Sequence, residues 1–237
     1  MKSISSFLVG PAAFALVALS WPSSPQNCDG SLALPESSHL VWRVANKNGG
    51  SASACPVKTL KDGTTLFLTS RHVTRDMGPA GASRAIVESR DKLRKLIIVS
   101  HTPCPKADLA LLVVKGDGNP IKLFELDLLG CKPGDRVYTS GFPGPFTLWF
   151  GYGGYMGVNG WHSANVTQGM SGGALLDSAG SLSGVLQGFT ASRQLLSVHN
   201  EGKRIGGTQM SVHFHYQGHS AMLHLRKEWL RKVKVIE

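Results

Sequence analysis

Three short stretches carry residue types that together can do nucleophilic chemistry. In "TQGMSGGALL" (Thr167–Leu176), Ser171 stands between glycines, ahead of apolar, strand-like residues. Such a run is also how a chain builds an ordinary tight turn, so alone it does not mark a nucleophile. A serine hydroxyl is a weak nucleophile until an oriented base removes its proton, and that base is normally a histidine. Of the nine histidines, His72 has a distinctive setting, because "LFLTSRHV" reads as a buried strand running into it. The imidazole in turn needs a group to fix its tautomer. Asp108 heads the strongly apolar "ADLALLVV", where an unpaired carboxylate would be costly to bury. The chain order is therefore His72, Asp108, Ser171, with the first two in one half of the sequence and the serine in the other.

Strands must position these residues. The chain has 237 residues, 42% of them hydrophobic, room for one large all-β domain or two small ones. Its 28 glycines, scattered between short apolar runs, favour strands and turns over long helices. "HLVWRVAN", "TTLFLTS", "RAIVES", "KLIIVS" and "DLALLVVK" occupy the first half. "DRVYTSGFP", "FTLWFGYGGYMGV", "GALLDSAGSLSGVLQGF" and "GTQMSVHFHY" occupy the second. Several alternate with period two and none sustains a 3.6 period. The turn-rich "KGDGNP" and "LGCKPGD" make residues 115–133 a linker between the halves. At the C-terminus, Leu223, Trp229, Leu230 and Val233 recur near helical spacing, which predicts an amphipathic helix packed back on the body.

Together, "LTSRHV", "ADLALL" and "GMSGGAL" resemble the three signature segments of chymotrypsin-like (trypsin-like) serine proteases. With "GDRVYTSGFPG" and "SGGALLDSAGSLSGV" in the same order, the likeness is greatest to the protease domain of bacterial Deg (HtrA) type, over about residues 40–215. No segment resembles the PDZ module of those proteins, so a bare protease domain is expected. The resemblance implies an all-β fold of two six-stranded antiparallel β-barrels with a C-terminal helix, the active site lying in the cleft between them. Residues 25–122 would form the first barrel, with His72 and Asp108, and 123–237 the second, with Ser171. It further implies that Ser171 attacks the scissile carbonyl, His72 serves as general base and then acid, and Asp108 orients His72. The backbone N–H groups of Gly169 and Ser171 would form the oxyanion hole. The substrate pocket would be set by Asn165, six residues before the serine, and by Gln187 in "GVLQGFTAS". Neither is acidic, which predicts a neutral pocket rather than one for Lys or Arg. Met170 stands where digestive relatives carry the aspartate that pairs with a newly cut N-terminus, so activation of that kind is not expected. For the cysteines, the resemblance suggests Cys55 with Cys104 and Cys28 with Cys131. The resemblance implies a protein or peptide substrate and no cofactor or metal.

The G-x-S-x-G reading of the serine run, the nucleophile elbow of α/β-hydrolases, fails on order and space, since only 66 residues follow Ser171. That fold needs Ser, then Asp or Glu, then His, with a helix straight after the serine. Here the residues after Ser171 read as strand, turn and strand, with Asp177 the only later aspartate.

The N-terminus is a separate matter. "FLVGPAAFALVALSW" gives fifteen residues without a charge, the length of a signal-peptide core and short of the ~20 residues of a membrane span. Residues 1–24 are thus expected to be a signal peptide or N-terminal anchor, and the protein secreted or periplasmic, or membrane-anchored if the segment is uncleaved. Four cysteines, even in number and without C-x-x-C spacing, suit two disulfides rather than zinc in an exported protein. The formal charge of +10 reads as a solvated face, and no aromatic interleaving supports specific nucleic-acid recognition. His213, His215, His219 and His224 read as surface or packing histidines rather than metal ligands. Two other functional classes remain open at this point: a catalytically silent relative that binds peptides in the same cleft, and a membrane-tethered, viral-type polyprotein protease.

Overall fold

The computed structural model describes residues 34–45, 51–77, 85–144, 147–157, 160–196 and 211–237, with the backbone alone for 76, 190–196 and 211–216. The expected signal or anchor segment and Cys28 lie outside the described residues.

The first half is a closed antiparallel barrel of β1 (Trp42–Ala45), β2 (Ser51–Thr59), β3 (Thr65–Thr69), β4 (Ile86–Glu88), β5 (Lys95–Pro103) and β6 (Ala110–Val114), in the order β1-β2-β3-β6-β5-β4. Strand periodicity decides its interior. On β5, Lys95, Ile97 and Val99 face outward while Leu96 and Ile98 are buried. Trp42, Phe67, Leu96, Ile98 and Leu112 fill the barrel, with Trp42 meeting Phe67 edge-on at 5.7 Å. Every residue of β3 is buried, because Phe67 turns into the barrel while Leu66 and Leu68 join the cluster packed against the second half.

The second half is a curled six-stranded sheet rather than a barrel closed by full ladders. Its strands are β7 (Arg136–Gly141), β8 (Trp149–Gly154), β9 (Trp161–His162), β10 (Ala174–Leu176), β11 (Leu182–Leu196) and β12 (Ser211–Met222), in the order β8-β7-β10-β11-β12-β9. A single bridge, Tyr155 with His162, joins its two ends, since two-residue β9 offers too little backbone for a ladder. Val137, Val166, Met170, Leu175 and Leu186 line its inner side. The halves are fused through a third cluster that includes Leu68, Leu109, Leu111, Phe142, Leu182, Leu223 and Leu230.

One expectation holds in a shorter form and one fails. The C-terminal helix is short. Ser220–Met222 complete β12, a 3₁₀ turn takes Leu223–Arg226, and only α2 (Lys227–Lys232) is helical. The anticipated anchors Leu223 and Leu230 are fully buried even so. The Cys55–Cys104 disulfide is not formed, and Cys55, Cys104 and Cys131 are free thiols. Topology explains why. Cys55 lies on β2 and Cys104 just beyond β5, and those strands stand three steps apart in either direction around the six-stranded ring. At about 4.8 Å per step, the two Cα atoms exceed the roughly 7 Å that a disulfide can bridge. Cys131 instead meets Ser183 Oγ at 3.4 Å. Among the described residues, no helix is long and apolar enough to cross a membrane.

Candidate active site

His72 sits in a four-residue helix, α1 (Arg71–Thr74), that begins two residues after β3 ends. Asp108 lies in the short loop between β5 and β6, turned by a hydrogen bond from Cys104 N–H to the Leu109 carbonyl at 2.7 Å. Because β3 and β6 are ladder neighbours, with Thr69 opposite Ala110, the end of one strand and the start of the other bring the two residues together. Asp108 then grips His72 twice. Its Oδ1 accepts from the His72 backbone N–H at 2.7 Å, and its Oδ2 lies 2.6 Å from His72 Nδ1. A carboxylate accepting at Nδ1 fixes the proton there and leaves Nε2 free to act as a base. Burial works against the charged form of Asp108. The hydrogen bonds from the His72 ring and backbone, with the charges of His72 and Arg75, outweigh it and hold the carboxyl below the usual carboxylate range. Both side chains remain about one-third exposed, so the pair opens to solvent.

The serine run makes two tight turns. Gly169 and Gly172 have φ of +92° and +84°, the left-handed region that favours glycine. A side chain at Gly169 would press on the Pro143 carbonyl oxygen at 2.5 Å, and one at Gly172 would overlap Ser53 O and Thr69 Oγ1. Within the loop, Met170 N–H donates to Thr167 O at 3.1 Å, Gly172 N–H to Leu186 O at 2.7 Å and Gly173 N–H to Met170 O at 2.9 Å. The N–H groups of Gly169 and Ser171 make no hydrogen bond among the described residues. They are thus left as donors for a ligand oxygen. Met170, only 1% exposed, packs into the core of the second sheet, which suits a methionine and would not suit an acid.

Direct hydrogen bonds draw the two halves together around this loop. Ser53 of β2 donates its N–H to Ser171 O at 2.8 Å, accepts Thr69 Oγ1 at its carbonyl at 2.7 Å, and accepts Phe142 N–H at its Oγ, also at 2.8 Å. The Cys55 thiol faces Gly172 O at 3.6 Å. Ser70, two residues before His72, donates to Leu186 O across the seam. Gln187 follows directly. Its side-chain amide donates to Asp108 O at 3.1 Å, and its own carbonyl accepts the Ser171 hydroxyl at 3.3 Å. His72, Asp108, Gln187 and Ser171 are therefore joined into one cluster.

Asn165 is placed elsewhere. With Trp149, Phe150, Val166, Thr167 and Met170 it lines a cavity of about 400 Å3 that carries no ionisable side chain among the described residues. Gln187 is not part of that lining. Ser53 and Ser70 were not legible as site residues. A serine ahead of a short helix reads as an N-cap, yet Ser70 makes no capping bond, and Ser53 is one of several small residues in a polar run. Of the histidines at the C-terminal end, His219 packs on Trp161 with ring centres 4.8 Å apart. His213 and His215 fall in the part of β12 described by backbone alone.

Comparison with known proteins bears on the fold and the family. No curated protein matches the sequence. Solved structures share its fold. Rv3671c of M. tuberculosis H37Rv, a serine-to-alanine mutant in its inactive form, is 18% identical with a TM-score of 0.56, over 85% of this chain and 89% of that one. The serine endoprotease from Yersinia pestis is 20% identical with a TM-score of 0.54, over 83% of this chain and 63% of that one. At such identities the likeness speaks for the fold alone. The family model for the trypsin-like peptidase domain matches residues 59–185, more than half of the chain and inclusive of all three site residues. The chain belongs to the trypsin-like peptidase family and is a serine-type endopeptidase.

Proposed function

We propose that the chain hydrolyses peptide bonds through an acyl-enzyme on Ser171, with His72 as base and Asp108 as its orienting partner. The observation that carries this reading is the double hold of Asp108 on His72, at the backbone N–H and at Nδ1. At rest the Ser171 hydroxyl donates to the Gln187 carbonyl. For catalysis it rotates about χ1 to donate to His72 Nε2, a change between staggered wells. Its oxygen then bonds to the substrate carbonyl carbon while Nε2 takes the proton. The N–H groups of Gly169 and Ser171 receive the oxyanion, and the imidazolium returns the proton to the departing amine. Water repeats the sequence to release the acid. The uncharged cavity at Asn165 favours apolar over basic substrate side chains.

The test is labelling of the purified protein with a fluorophosphonate, which reports an activated serine without needing the natural substrate. Wild type labels, and Ser171→Ala and His72→Ala do not. A folded wild-type protein that stays unlabelled would make the chain a silent relative that binds peptides. We further propose that the protein is exported to a secreted or periplasmic location, on the strength of the apolar run at residues 7–21. The free thiols withdraw the support that disulfides would have lent. A mature N-terminus at residues 20–28, read by N-terminal sequencing, is the expected result, and an intact Met1 would leave the segment as an anchor.

A further inference from the structure

We infer that Gln187 is a positioning residue that sets the geometry of Asp108, rather than a wall of the substrate pocket. The inference rests on the triad reading above and concerns one residue's part in it. The register of β11 against β12 pairs Leu186 with Ser220 and Gly188 with His219, which leaves Gln187 as the extra residue of a bulge. A bulge turns a side chain and a carbonyl out of the directions the ladder would give them, and such irregularities gather beside active sites. Here the redirected groups meet the chemistry on two sides. The amide Nε2 reaches into the first half to Asp108 O, and the main-chain carbonyl holds the Ser171 hydroxyl.

Asp108 needs such a clamp. It precedes β6 and lies in a loop, outside the ladder. Its carbonyl accepts no other hydrogen bond among the described residues. The direction of the carboxylate follows from the orientation of that peptide, so a donor on the carbonyl aims the Oδ1 and Oδ2 pair at His72. Ser70 Oγ, bonded to Leu186 O, anchors the neighbouring point of β11 beside α1. The charged groups acting on the clamped carboxylate are His72 and Arg75, and Gln187 adds hold without adding charge. A pocket wall would act differently, by contact with the substrate side chain.

The experiment is the pH dependence of the second-order rate of fluorophosphonate labelling, for wild type, Gln187→Met and Gln187→Glu. The probe carries no substrate side chain, so a pocket role leaves its rate unchanged. Methionine keeps the length of glutamine and removes the donor. The expected result for folded Gln187→Met is a loss of roughly tenfold to a hundredfold at pH 8. Its acid limb also moves to lower pH, because the imidazolium loses part of its carboxylate support. Gln187→Glu places an acceptor against the Asp108 carbonyl and a negative charge near the pair. It slows labelling as well, with its acid limb moved to higher pH. Wild-type rates in both variants overturn the inference, and so does a lower rate with an unmoved acid limb, which marks a merely structural role. Should Gln187→Met fail to fold, Gln187→Glu decides alone. Failure of the triad reading is recognised separately, by wild type that does not label or by labelling that survives His72→Ala.

Discussion

Asp108 is bound to His72 by two separate oxygens, and the two bonds do different work. The backbone bond at 2.7 Å fixes where the carboxylate sits, and the Nδ1 contact at 2.6 Å selects the tautomer. Asp108→Asn keeps the shape but offers an amide that can donate to Nδ1, which moves the proton to Nε2 and disables the base. Labelling should fall by about three to four orders of magnitude at neutral pH, as triads of this kind behave on losing the acid, with the melting temperature changed far less. Burial and hydrogen bonding pull the Asp108 carboxyl in opposite directions and the bonds win, so it stays ionised through the neutral range. Gly169 makes a second test. Gly169→Ala meets both a left-handed φ of +92° and the Pro143 carbonyl. The expected outcome is a turned peptide, a misplaced oxyanion donor and a rate lower by roughly 10²–10³, while a wild-type rate would show that this N–H takes no part. His72, Asp108 and Ser171 could be singled out as candidates in the sequence because each stands at a break in an apolar run. Gln187 was legible as a residue near the site but not in its role, since a one-residue bulge leaves no mark on an apolar pattern.

At the scale of elements, strand β2 shows where pattern reading stops. Its sequence "SASACPVKT" is small and polar, with Pro56 inside it, and does not read as a strand at all. The structure tolerates the proline because the register shifts between Pro56 and Lys58, the kind of place where a missing N–H costs little. The same smallness is functional. Ser53 is fully buried, with its N–H on Ser171 O and its Oγ on Phe142 N–H, so a larger side chain there would push the two halves apart. Ser53→Ala keeps the main-chain bond to Ser171 but leaves the buried Phe142 N–H without its acceptor. The expected cost is about 1–3 kcal/mol in urea unfolding, with labelling slowed only modestly; an unchanged midpoint would mean that Phe142 finds another acceptor. Strands rich in apolar residues, such as β3 and β6, were legible from the sequence. The disulfide assignment failed for a reason of topology, because spacing along the chain does not reveal that β2 and β5 stand across the barrel from one another.

The molecule as a whole depends on closing the curled sheet, and His162 is at that closure. It pairs with Gly218 of β12, bridges to Tyr155, meets Ser220 Oγ through Nε2 at 3.0 Å, and is fully buried. Burial lowers its pKa to about 4, with His219 adding to the effect and a backbone bond at Ala164 opposing it. In the unfolded chain the same ring titrates near 6.5. Above about pH 6.5 both states are neutral and the histidine gives no pH dependence. As pH falls from there towards 4, the unfolded state takes up a proton that the folded state refuses, so stability declines by at most about 1.4 kcal/mol per pH unit. His224, also lowered mainly by burial, acts in the same direction. The carboxylates Glu88, Asp108 and Asp127 are held low in the folded state. They lose their contribution chiefly below about pH 4, so the interval above that isolates the histidines. Urea midpoints at pH 7, 5.5 and 4.5 should therefore fall steadily for wild type. His162→Phe, which fills the space but cannot titrate, should be less stable at pH 7 for want of a partner to Ser220, yet show a clearly flatter decline. Equal slopes in the two proteins would place the acid sensitivity elsewhere and remove His162 from the closure's energetics.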